Sequence, residues 1–151
     1  MMLIRLVELI YKLVRCRWAY YIGQILVTLP FWQAGLSKVF NFNHTVTYMA
    51  DNGLHPAFWV TILVIIVEIL SPIIIVFGRR LAWLGNGALF VFTLLTMFMF
   101  HNFWAYTGEA YLSQLNDFYR HLHMIGGVMM SAIAAELRYG LYQISQKPHL
   151  S

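Results

Sequence analysis

Four apolar stretches, at residues 18–40, 56–77, 81–104 and 119–137, dominate the 151-residue chain and leave only short polar segments between them. About 20 apolar residues match the hydrocarbon core of a bilayer, so each stretch is long enough to cross it. In lipid a spanning segment satisfies its own backbone N–H and C=O groups, which selects helices. The apolar–polar alternation of barrel strands is absent. Composition points the same way: 60% of residues are hydrophobic and 11% charged, where a soluble domain carries about a quarter charged. The fourth stretch is the weakest, diluted by Arg120, His121, His123 and Ser131. The expected fold is all-α, an integral membrane four-helix bundle over residues 18–137.

Lys and Arg set the orientation. Arg5, Lys12, Arg15, Arg17, Arg79, Arg80, Arg138 and Lys147 fall on one side, against Lys38 and Arg120 on the other. The positive-inside rule then places both termini in the cytoplasm. Trp18 and Trp83 are expected at inner ends, and Trp32, Trp59 and Trp104 near outer ends, at headgroup level. Residues 1–17 carry Arg5, Glu8, Lys12 and Arg15 as one polar stripe, which predicts an amphipathic helix on the cytoplasmic face. Residues 138–151 are expected to form a cytoplasmic tail. The basic residues follow topology and form no patch, so nucleic acid is not an expected partner; the bilayer is. Cys16, the single cysteine, excludes an internal disulfide, a CxxC pair and a cysteine zinc cluster.

Polar groups inside the spans carry the functional signal, because an ionisable side chain at mid-helix costs at least about 3 kcal/mol. Glu68 stands twelve residues into the second stretch, about 18 Å from its outer end. Thr61, Ser71 and Pro72 share its helical face. Gln24, Thr28, Gly35 and Lys38 make one stripe on the first span; Arg120, His123, Gly127, Ser131 and Ala134 make another on the fourth. Counting residues puts Lys38, His101 and Arg120 at one outer level with Glu68 deeper. The plain alternatives are that Lys38 and Arg120 snorkel to headgroups, and that Glu68 is a neutral acid bonded to Gln24, Thr28 or Ser131 as helix glue. His44, His55, His121 and His149 read as interfacial residues, and Gly126 and Gly127 as points of close helix approach.

Gly35-Leu36-Ser37-Lys38 closes the first span, and Glu68-Ile69-Leu70-Ser71-Pro72 leads to Gly78-Arg79-Arg80. His101-Asn102-Phe103-Trp104 ends the third, and Phe118-Tyr119-Arg120 enters the fourth. In this order the motifs resemble the DoxX family of small bacterial four-helix inner membrane proteins, from about residue 18 to 137. Gly35, Lys38, Glu68, Gly78, His101, Trp104 and Arg120 match the family-like pattern; His121 and His123 do not belong to it.

The resemblance implies a multi-pass protein of the bacterial inner membrane. It also implies the membrane part of a redox system, since the wider family includes a subunit of a thiosulfate:quinone oxidoreductase. On that reading a quinone lies between the helices. Glu68 and His101 are the candidate catalytic residues; Lys38, Arg120, Trp104 and Gln24 are the candidate ligand-binding residues. The chain has no glycine-rich dinucleotide loop or cysteine pair, so a membrane or soluble redox partner would carry the electrons. Three other readings compete: haem between His101 and His123 or His121, a small-solute or proton-coupled carrier, in which a homo-oligomer builds the pathway, and a purely structural subunit. No metal site is expected, because the depth count separates Glu68 from the histidines.

Overall fold

A computed structural model describes residues 2–146, with side-chain surroundings for residues 3–139. Lys147 and His149 lie outside the described residues. The described chain is helical, without a strand: α1 (Met2–Arg15), α2 (Arg17–Phe40), α3 (Phe42–Asp51), α4 (Ala57–Phe77), α5 (Ala82–Phe100) and α6 (Gly108–Gln146). Single 3₁₀ turns at Arg79–Leu81 and Phe103–Ala105 join the last three.

The four long helices pack as a closed ring, α2 on α4, α4 on α5, α5 on α6, and α6 back on α2. Each buries one stripe at helical spacing. On α2 it is Gln24, Thr28, Phe31 and Gly35; on α5 it is Gly85, Asn86, Leu89, Thr93 and Met97. The apolar centre takes one side chain from each helix: Phe31, Ile75, Leu89 and Val128. Around it the buried set is unusually polar, and the outer surface is the apolar one. Leu26 (61% exposed), Leu63 (61%), Leu95 (55%) and Met130 (63%) face outward, which in water would be a very large exposed apolar patch. Two segments, Ala57–Phe77 and Arg79–Ala105, are long and apolar enough to cross a membrane. The helices run through Pro30 and Pro72 without a break.

Several details differ from the sequence-based expectations. The polar stretch after the first span folds as α3, which packs chiefly on α4. Helix α5 stops at Phe100, so His101 is its C-cap, its N–H bonded to the Met97 carbonyl, and lies outside the helix. Helix α6 begins at Gly108 and continues to Gln146, 39 residues, taking in both the polar entry segment and much of the expected tail. Its inward face is Ile125, Val128, Ser131 and Ala135 with His121 half-buried; Arg120, His123 and Ala134 are exposed. The expected face was thus rotated by about one position.

The glycines also need correction. A methyl group at Gly126 would meet nothing within 4 Å, and one at Gly127 would make only ordinary contact with Val27. Close approach occurs instead at Gly35 and Gly85. At Gly35 a Cβ would lie 2.8 Å from Ile69 Cγ1 and 3.1 Å from Glu68 Cβ. Trp32, expected at the outer rim, is half-buried and lines an apolar groove with Val76 and Phe77.

Candidate functional site

The absence of a side chain at Gly35 lets α2 settle against α4 beside Glu68. Lys38 stands one turn further along α2. Its Nζ donates to both carboxylate oxygens of Glu68, each at 2.9 Å. The lysine stem thus spans the difference in depth that the residue count gives these two residues. A residue count measures Cα height, while a lysine stem carries its ammonium well away from its Cα. The pair is asymmetric: the Lys38 side chain is 24% exposed and that of Glu68 only 5%. Of the two, the amine is the more accessible and the carboxylate the more deeply buried. Glu68 makes none of the expected bonds to Gln24, Thr28 or Ser131.

Those three form a separate junction. Ser131 Oγ donates to Gln24 Oε1, and Gln24 Nε2 donates to the Ser131 carbonyl. Thr28 Oγ1 donates to the Gln24 carbonyl at 2.8 Å. All three residues are at most 5% exposed, so every polar group here depends on its partner. Gln24 is thus committed to α6 and does not face Lys38.

A third cluster gathers where α5 ends and α6 begins. His101 Nδ1 lies 3.2 Å from Gln114 Oε1 and 3.9 Å from Asp117 Oδ2. The His101 and His121 rings are 4.5 Å apart, tilted by 44°. His121 Nδ1 lies 2.9 Å from the Asp117 carbonyl; a carbonyl only accepts, so that nitrogen carries a proton. Arg120 pairs with Asp117 on the outside, its side chain 74% exposed. Trp104 is exposed and Phe103 packs edge-on against it, and against Tyr111 and Phe118. Sequence reasoning passed over Gln114, Asp117 and the inward position of His121. The helical spacing of Gln114, Asp117 and His121, three and four residues apart, was the signal that could have found them.

Of the six candidate residues, the structure joins Lys38 to Glu68 and leaves Gln24, His101, Arg120 and Trp104 in other places. Among the described residues, no three His, Cys, Asp or Glu side chains are arranged to hold a metal ion.

The sequence pattern of the DoxX family matches residues 20–102, that is α2 to the end of α5. The chain is also similar to the inner membrane protein YphA of Escherichia coli (strain K12), 33% identical over 116 residues, which are 74% of this chain and 79% of that protein. No solved structure matches. The family match covers the Lys38–Glu68 pair, Gln24 and His101 and ends before α6, so Ser131 and Asp117 lie beyond it. With its apolar outer surface, its two segments able to cross a bilayer and these likenesses, the chain is an inner membrane protein and belongs to the DoxX family.

Proposed function

We propose that this chain crosses the inner membrane four times, through α2, α4, α5 and α6, and serves as the membrane component of a quinone-linked redox system. The buried Lys38–Glu68 pair carries this reading. An amine and a carboxylate 2.9 Å apart can hold one proton on either group, and both are costly to keep within a bilayer for packing alone. The donor set suits a quinone carbonyl, which needs a hydrogen-bond donor and a proton source where water is scarce. Lys38, the exposed member, offers the donor and the proton; Glu68 behind it accepts from the amine through both oxygens and can exchange the proton with it. Bound quinone would supply the electron-accepting group, and a separate redox protein the electrons. His101, with Gln114 and Asp117, is a second proton-handling group near the outer face. Both termini lie in the cytoplasm on this reading, and α1, with Lys12 and Arg15 in its last turn, rests on the inner leaflet.

Mass spectrometry of the organic extract from protein purified in mild detergent tests the proposal, with Glu68→Gln and Lys38→Met beside it. A stoichiometric quinone in the wild type, depleted in Lys38→Met, supports it. An extract holding only phospholipid in all three overturns the quinone reading and leaves the pair as helix glue.

A further inference from the structure

At the end of the molecule opposite His101, the start of α2, the end of α4 and residues 135–139 of α6 border an open cavity of about 1010 Å³. Four arginines are among the residues that line it, Arg17, Arg79, Arg80 and Arg138. They come from α2, the α4–α5 turn and α6, so three separate parts of the fold converge on one space. Among the described residues none of the four has a carboxylate partner.

The cluster is built as well as charged. Arg138 lies 4.8 Å over the Tyr20 ring and Arg80 5.3 Å over the Tyr139 ring. Arg80 Nε also donates to Tyr139 Oη. Stacking on a ring fixes a guanidinium plane while leaving most of its five donors available. Arg79 has φ +40°, a left-handed backbone conformation unusual for a residue with a side chain. Such local strain is found where surrounding structure holds a side chain in a required place.

The cavity walls are apolar below the arginines, where Val76, Phe77, Leu81 and Ala135 line them. Val76 and Phe77 also line a second groove of about 480 Å³ with Ile25, Leu29, Trp32 and Leu36, beside Thr28 and Gln33. The arginine cavity therefore shares two lining residues with a mainly apolar groove along α2. Planar, bidentate donors suit phosphate oxygens, and an uncompensated positive cluster favours a head with net negative charge over a zwitterionic one. The groove favours a tailed molecule over a free ion.

We propose that the cavity binds an anionic phospholipid, its phosphate held by Arg17, Arg79, Arg80 and Arg138 and an acyl chain lying in the apolar groove. The proposal rests on placement in a membrane and is independent of the quinone reading. Charge at this end already follows from the positive-inside rule; a binding site differs in depending on which arginines are present and not on their number.

The test uses the full chain in mild detergent, its melting followed by helical circular dichroism. Mixed micelles contain phosphatidylglycerol or phosphatidylcholine with the same acyl chains; inorganic phosphate is a third arm. Phosphatidylglycerol is expected to raise the melting temperature, and the other two are not. Arg79→Gln with Arg80→Gln should weaken its apparent affinity about tenfold or more, and Arg17→Gln with Arg138→Gln should act alike. Lys12→Gln with Arg15→Gln, the same charge removed from α1, should leave it unchanged. An equal shift with phosphatidylcholine would mean that only chains are recognised, and an equal shift with inorganic phosphate would mean a tail-less anion site. Either result overturns the proposal, as does equal loss in the α1 variant or displacement of the lipid by polyglutamate, which would mark a protein-facing surface. The headgroup comparison on the wild type decides even where a variant fails to fold.

Discussion

Gln24 and Ser131, 107 residues apart in the sequence, hold each other through two hydrogen bonds and close the ring of helices between α2 and α6. Both are buried, so truncating either leaves an unsatisfied group. Ser131→Ala or Gln24→Leu alone should cost about 1–2 kcal/mol. The double variant should recover part of that loss, because it removes both polar groups together. Unfolding in mixed micelles with increasing sodium dodecyl sulfate measures the four corners of the cycle; strictly additive losses would show that the two residues do not interact.

The exposure difference between Lys38 and Glu68 sets the order of their variants. Lys38→Met leaves a carboxylate only 5% exposed without its counter-charge, whereas Glu68→Gln leaves an amine that keeps 24% exposure on a long stem free to turn elsewhere. Breaking a buried pair costs about 3–5 kcal/mol in the worst case. Lys38→Met should approach that range, Glu68→Gln should cost clearly less, and the double variant should be more stable than Lys38→Met. The same micelle titration checks the order, and equal losses would contradict the asymmetry.

Close approach at Gly35 makes a second, steric prediction. Gly35→Ala places a methyl 2.8 Å from Ile69 Cγ1 and should destabilise by about 1–3 kcal/mol through overpacking. Gly126→Ala meets nothing within 4 Å and should be neutral or stabilising by up to about 1 kcal/mol, from helix propensity. Gly35→Ala should also loosen the ion pair, so combining it with Lys38→Met should cost less than the sum.

Arg120 stands outside the bundle and touches Asp117 alone among carboxylates. Exposed pairs of this kind contribute about 0–1 kcal/mol. Arg120→Gln should therefore change stability by under about 0.5 kcal/mol and leave the amount of any co-purified quinone, as proposed above, unaltered. Loss of that quinone in the variant would support Arg120 as a ligand-binding residue.

The stripes on α2 and α4 were readable in the sequence because their buried positions are polar or small within long apolar runs, and the helical period picks them out. Gln24, Thr28, Gly35, Thr61, Glu68 and Ser71 are all buried as their spacing implies. On α6 the same rule misled: Arg120 and His123 are polar because they leave the bundle, while the inward residues Ile125 and Val128 look like ordinary lipid-facing ones. Helix α3 was hidden by Asn41, Asn43 and His44, whose polarity sets the segment apart from the apolar runs. Contact between Lys38 and Glu68 was hidden for a different reason, since a residue count along a helix axis takes no account of side-chain reach or of where α2 ends relative to α4. The arginine cavity was legible only as charge; that Arg17, Arg79 and Arg138 meet required the fold.

The length of α6 has a consequence for spacing. One continuous helix carries the Gln114–Asp117–His121 cluster, the Ser131 junction and Arg138, with about 25 Å from Ser131 to Gln114 and about 10 Å from Ser131 to Arg138 at 1.5 Å per residue. The distance between the histidine cluster and the arginine cavity is therefore set by a single helix, with no loop between them.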